Sequence, residues 1–140
     1  MATTTFAAVE AEFEAFDDWD DRYRLIIALG QALPAMDPAL KTDATKVRGC
    51  ASQVWLHSAR ENGVLHFVAD SDAAIVKGLV ALVLMLADGR APAEIDAAEI
   101  KARLDGLGLS KHLSSNRTQG LASMIGRIEA LAKKTPGETA

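Results

Sequence analysis

The stretch QVWLHSARENGVLHFVAD (residues 53–70) decides the fold. Two apolar runs flank Asn62-Gly63, and Asn-Gly between alternating apolar residues is the strongest short-range hairpin signal. A two-residue turn there sets Glu61 opposite Val64, and the register of the whole pair follows. Val54, Leu56, Ser58, Leu65, Phe67 and Ala69 then share one sheet face. Trp55, His57, Ala59, Val64, His66 and Val68 share the other. Both faces are largely apolar, so helices should cover one side and something else part of the other. A hairpin alone is marginal in water, so a third short strand is expected from the segment around Val47.

Outward from the hairpin the period changes to that of helices. Residues 6–16 place Phe6, Val9, Phe13 and Phe16 at helical spacing, and a second helix, capped by Asp20 or Asp21, should run to about Leu33, before Pro34. Residues 34–45 carry two prolines and read as a loop. After the hairpin, Asp70-Ser71-Asp72 offers capping oxygens to a helix from Ala73 to about Ala87 that is apolar nearly all round, as a central core helix would be. Residues 92–107 predict one or two short helices. The last helix follows Ser114-Ser115-Asn116 and carries Leu121, Met124, Ile125, Ile128 and Leu131 on one stripe. Helices, one hairpin and more helices give an α+β fold, a small antiparallel sheet of about three strands packed against helices. The expectation is a single domain over residues 1–140, with flexible ends at about 1–5 and 135–140.

The chain has 140 residues, 49% of them apolar and 24% charged, which fits one folded globular domain and excludes a disordered or fibrous chain. Its net charge is −4, and residues 1–40 hold eight acids against two bases. That balance argues against binding nucleic acid by phosphate neutralisation. The longest apolar run, Leu79 to Ala87, covers nine residues, about half of the roughly 20 that cross a bilayer, so no membrane span is expected. An acidic start without a base before Arg22 fits neither a secretory signal nor a transit peptide, and a cytoplasmic protein is expected.

There is one cysteine, which excludes an intrachain disulfide and a cysteine-rich cluster or zinc site. Cys50 lies in KVRGCASQ (residues 46–53), between a loop and the first strand. Gly49 beside it lets the backbone approach a ligand or change conformation, and Lys46 and Arg48 could stabilise a thiolate if their charges lie close to the sulfur. The plain alternative is a small buried hydrophobe. His57 and His66 form a diagonal cross-strand pair, but a metal needs further ligands and none has an obvious spacing, so no metal is expected. A Cys/His hydrolase has no local signature either. Arg117, after the serine cluster, has no local structural reason.

The segments KVRGCASQVWLH (46–57), ADSDAAIVKGL (69–79) and GLSKHLSSNRTQGLASMI (108–125) closely resemble the SufE/CsdE family of sulfur-acceptor proteins, and the similarity extends over about residues 20–132. Family members usually have Gln where this chain has Ala51, and Pro-Ser where it has Ser115-Asn116. The resemblance implies an α+β fold shared with IscU-type iron–sulfur scaffolds. It also implies a sulfurtransferase-type accessory without independent turnover, whose acceptor thiol is Cys50. Its partner would be a SufS-like or CsdA-like cysteine desulfurase. The pyridoxal phosphate would belong to that enzyme, and this chain would hold no cofactor. A downstream iron–sulfur scaffold or other acceptor would take the sulfur. The partner-binding surface would surround Cys50 and include Arg48, Gly49, Asp72 and Arg117. One thiol per chain suits carrying sulfur rather than assembling clusters, and no second cysteine in the chain can release the sulfur as sulfide. A non-covalent regulator with a structural Cys50 is the alternative. The oligomeric state is open, a homodimer included.

Overall fold

The computed structural model describes residues 5–134. Its hairpin pairs β1 (Val54–Glu61) with β2 (Val64–Ser71) antiparallel, with Glu61 opposite Val64 as the turn requires. Asn62 (φ 53°) and Gly63 (φ 82°) both take left-handed backbone, the geometry that matches the strand twist. Val54, Leu56, Leu65, Phe67 and Ala69 are buried on the inner face. Trp55, His57, Val64 and Val68 are half-buried on the outer one, and His66 is exposed.

The sheet has two strands, not three. The segment before β1 pairs with it only through a bridge between Lys46 and Trp55. There the Val47 amide donates to the Val54 carbonyl at 2.8 Å, and the Leu56 amide to the Thr45 carbonyl at 2.8 Å. The chain then turns at Arg48-Gly49, where Gly49 adopts φ 89°, and the ladder ends. The third strand is thus reduced to one bridge because the segment is diverted to carry the cysteine. On the opposite edge the Leu65 amide donates to the Arg90 carbonyl, so backbone groups of both edges find partners.

Helix α1 (Phe6–Ala15) is capped by Thr5, which lies in the stretch expected to be flexible. Residues 1–4 and 135–140 of the expected flexible ends lie outside the described part. Helix α2 (Trp19–Gln31) begins earlier than expected, because Asp18 rather than Asp20 or Asp21 accepts the capping amide, from Asp21. Asp20 and Asp21 occupy its first turn, where the helix dipole favours acids. Helix α3 (Ala74–Ala87) has no side-chain cap at Ala73. The oxygens expected to cap it go elsewhere: Asp70 Oδ1 accepts from the Ser71 amide, Asp72 Oδ1 from the Gln53 amide, and only Ser71 Oγ accepts from the Ala73 amide, at 3.3 Å.

Helix α3 is the centre of the molecule, buried at ten positions, between the inner face of the hairpin and α2. The backbones of α2 and α3 touch: a Cβ on Gly30 would lie 2.6 Å from the Gly78 nitrogen. The remaining region forms α4 (Ala97–Gly106), a one-turn α5 (Leu109–His112) that the sequence pattern did not indicate, and α6 (Ser115–Lys133) capped by Ser114. Packing α6 against α3 and α4 places its amino-terminal half beside the Cys50 loop. Among the described residues the buried apolar side chains, Met36 apart, form one continuous cluster. No helix of the described residues is long and apolar enough to cross a membrane.

Candidate functional site

Cys50 is half-buried, at the point where the loop after the Lys46 bridge meets α6. Its thiol donates toward the Gly120 carbonyl at 3.5 Å. Two glycines lie at this approach. A Cβ on Gly120 would lie 3.4 Å from Cys50 Sγ, so the bare helix backbone forms the wall against which the sulfur rests. A Cβ on Gly49 would collide with Ser123 Oγ, and its positive φ independently favours glycine. The sulfur opens on a small cleft of about 20 Å³ lined by Cys50, Ala51, Val76, Arg117, Leu121 and Met124 among others. That is room for about one water-sized atom.

Burial pushes the Cys50 thiol above its ordinary pKa. Lys46 and Arg48 do not supply the activation they could have given: burial raises the thiol, and neither charge offsets it. Arg48 is exposed beside the turn. Arg117 is exposed at the rim of the cleft, and among the described residues neither guanidinium has a partner. The Arg117 amide donates to Ser114 Oγ, so its backbone has a capping role while its side chain is free. Asp72 is exposed, and its Oδ1 accepts the Gln53 amide at 3.1 Å, three residues beyond the cysteine.

Cys50, Gly49 and Arg117 therefore come together, with Arg48 one residue before Gly49 and Asp72 on the strand side of the same loop. Gly120, Ser123 and the Val76 wall were not singled out from the sequence. A glycine inside the last helix was the available signal, because it costs about 1 kcal/mol relative to alanine and so points to a packing reason. The histidines are elsewhere. None lines the cleft: His57 faces Val68, His66 Nδ1 lies 3.9 Å from Asp88 Oδ1, and His112 stacks on Trp19 at 4.0 Å. Among the described residues no three His, Cys, Asp or Glu side chains gather as metal ligands would. Without a base beside it, the thiol lacks the pairing that activates a cysteine hydrolase.

Fold and site together define a class: an α+β protein presenting one sheltered thiol on a loop, against a helix that meets the sulfur with a glycine. Residues 7–132 match the SufE family model, described as an Fe-S metabolism associated domain, and the chain belongs to that family. It is 47% identical over 126 residues to an uncharacterised SufE-like protein of Rhizobium etli, covering 87% of this chain and 85% of the relative. It is 39% identical over 133 residues to the sulfur acceptor protein CsdE of Escherichia coli, covering 94% and 90%. The solution structure of a hypothetical protein from Thermus thermophilus has the same fold, with a TM-score of 0.73 at 18% identity over 95% of this chain and 96% of that one.

Proposed function

We propose that this protein is a sulfur acceptor and carrier in iron–sulfur metabolism, and that Cys50 is the residue that bears the sulfur. The observation that carries the reading is the seating of the single thiol in a cleft with room for about one further atom. Family membership and the 39% identity to the sulfur acceptor CsdE agree with it. In the reaction, the Cys50 thiolate attacks the outer sulfur of a persulfide on a cysteine desulfurase. The S–S bond of that persulfide breaks, the desulfurase cysteine leaves as a thiolate, and Cys50 becomes a persulfide. No net oxidant or reductant is needed, since one S–S bond replaces another. A thiol of a downstream acceptor, such as an iron–sulfur scaffold, then attacks in the same way.

In this reading the chain itself holds no cofactor, and the pyridoxal phosphate belongs to the desulfurase. Arg48, Gly49, Asp72 and Arg117 surround the loop that must enter the partner's site, and the two unpaired guanidiniums supply charge for docking on acidic groups there. The competing reading is a non-covalent regulator in which Cys50 is structural, and the half-burial of the thiol is what favours it. Incubation with a desulfurase and cysteine, followed by intact mass measurement, separates the two. Loading adds the mass of one sulfur to the protein and none to a folded Cys50→Ser variant, which also loses stimulation of the desulfurase. Full stimulation by Cys50→Ser would establish the regulator instead.

A further inference from the structure

The cleft at Cys50 is one end of a longer seam. Along it, the segment from Ala44 to Cys50 runs antiparallel to α6, and three α6 residues at helical spacing meet it: Gly120 against Cys50, Ser123 against Gly49, and Arg127 against Ala44. Beyond them, Arg60 of β1 donates to the Lys134 carbonyl just past the end of α6. The first two contacts are close approaches of backbone. Besides the thiol's own bond to Gly120, Arg127 supplies a polar fastening of the segment to α6, its Nη2 donating to the Ala44 carbonyl at 2.6 Å. The segment itself is tied to β1 by the Thr45 and Val47 hydrogen bonds. Opening the seam therefore means moving α6 and the loop with its hairpin apart, rather than peeling the loop alone.

Arg127 is an odd choice for a purely packing role. Its Nε is buried and has no hydrogen-bond partner, which costs stability. An unbranched apolar side chain would fill the same path without that cost. The bond to Ala44 is what the arginine provides in return.

We propose that Arg127 is a positioning residue that keeps the seam closed, and so holds Cys50 in its cleft until a partner parts α6 from the loop and the hairpin it is tied to. It touches neither the sulfur nor the cleft, and it acts through Ala44 and the segment that ends at Cys50. The proposal adds a means of control to the thiol site. Because it is read with a small reagent, it stands or falls separately from the sulfur-carrier reading.

The test compares the full-length protein with Arg127→Met and Arg127→Lys. The readouts are the alkylation rate of Cys50 by iodoacetamide at fixed pH, and the thermal unfolding midpoint. Arg127→Met keeps the stem and removes the donor, so alkylation should rise about two- to tenfold, the factor that loss of one hydrogen bond gives to a local opening. The midpoint should hold or rise, because the unsatisfied Nε is gone. Arg127→Lys keeps a donor on a long stem and should return the rate toward that of the unaltered protein. An unchanged rate in Arg127→Met would overturn the proposal. So would a faster rate accompanied by a lowered midpoint or left uncorrected by lysine, since either would mean that Arg127 merely supports the fold.

Discussion

Asp72 and Gln53 hold each other by two hydrogen bonds: Asp72 Oδ1 accepts the Gln53 amide at 3.1 Å, and the Asp72 amide donates to the Gln53 carbonyl at 3.3 Å. This pair closes the strand side of the cysteine loop, as the Arg127 bond closes the helix side. Asp72→Ala removes one of the two bonds at an exposed position, where water can take over the Gln53 amide, so global stability should fall by about 1 kcal/mol or less. The loop should loosen more than the fold, and alkylation of Cys50 should accelerate about two- to tenfold. Asp72→Asn keeps an acceptor and should react like the unaltered protein. Equal rates in all three proteins would show that the pair does not restrain the thiol.

The α2–α3 contact gives a sharper stability expectation. A Cβ on Gly78 would penetrate the Ile26 carbonyl group, whereas one on Gly126, on the exposed side of α6, would meet nothing. Gly78→Ala must push two backbones apart and should destabilise by about 2–3 kcal/mol despite alanine's better helix propensity. Gly126→Ala should gain up to about 1 kcal/mol from propensity alone. Urea unfolding of both variants checks the pair, and equal shifts would contradict the packing described for α2 and α3.

These contrasts show what was legible in the sequence. The hairpin register followed from Asn62-Gly63 because a two-residue turn admits one pairing, and the apolar circumference of α3 announced a central helix. The missing third strand was not legible, since its failure depends on where the left-handed turn at Gly49 sends the chain, which no periodicity records. Cys50 stood out as the lone thiol inside a recognisable block. Gly120, which accepts from it, lies 70 residues away in the chain, and no periodicity pairs it with Cys50. Lys46 and Arg48 were adjacent in sequence to the cysteine, yet adjacency along the chain does not aim a charge at the sulfur, and burial decides its pKa.

Asp70 connects the sheet to both flanks of the molecule. Its carboxylate meets Lys41 at 2.6 Å and Lys77 at 3.3 Å, and the Lys41 ammonium also lies over the Trp55 ring at 5.2 Å. Burial alone would raise the Asp70 pKa, but the hydrogen bonds from Lys41 and the Ser71 amide, with Lys77, outweigh it and hold the group below the usual carboxylate value. A carboxyl depressed on folding stabilises the protein above its unfolded pKa of about 3.9, and that contribution is lost as pH falls through the lower folded value. Asp70→Asn should therefore cost about 1 kcal/mol at pH 7, and the difference from the unaltered protein should shrink as the pH is lowered below about 3.9. A deficit that stays constant across this range would mean that hydrogen bonding rather than charge carries the interaction.

The Cys50 thiol should show the opposite displacement. Removing its proton puts a charge in a half-buried cleft where the thiol's hydrogen-bond partner is the Gly120 carbonyl, an acceptor that stabilises the S–H form and repels a thiolate. Both effects keep the proton on. The alkylation rate of the free protein, followed against pH, should therefore rise with a midpoint above that of the same cysteine in urea-unfolded protein. Near neutral pH the folded protein should be the slower of the two, which shelters the thiol from oxidation as well as from alkylation. Sulfur transfer nevertheless needs the thiolate. If Cys50 accepts sulfur from a desulfurase near pH 7, docking must lower this midpoint, either by drawing the sulfur away from the Gly120 carbonyl or by bringing it near a donor or cation of the partner. Transfer from the desulfurase should then level off at a lower pH than alkylation of the free protein does. A free-protein midpoint below that of the unfolded chain would contradict the electrostatics of the cleft. Identical midpoints for alkylation and transfer would mean that the partner leaves the thiol where it found it.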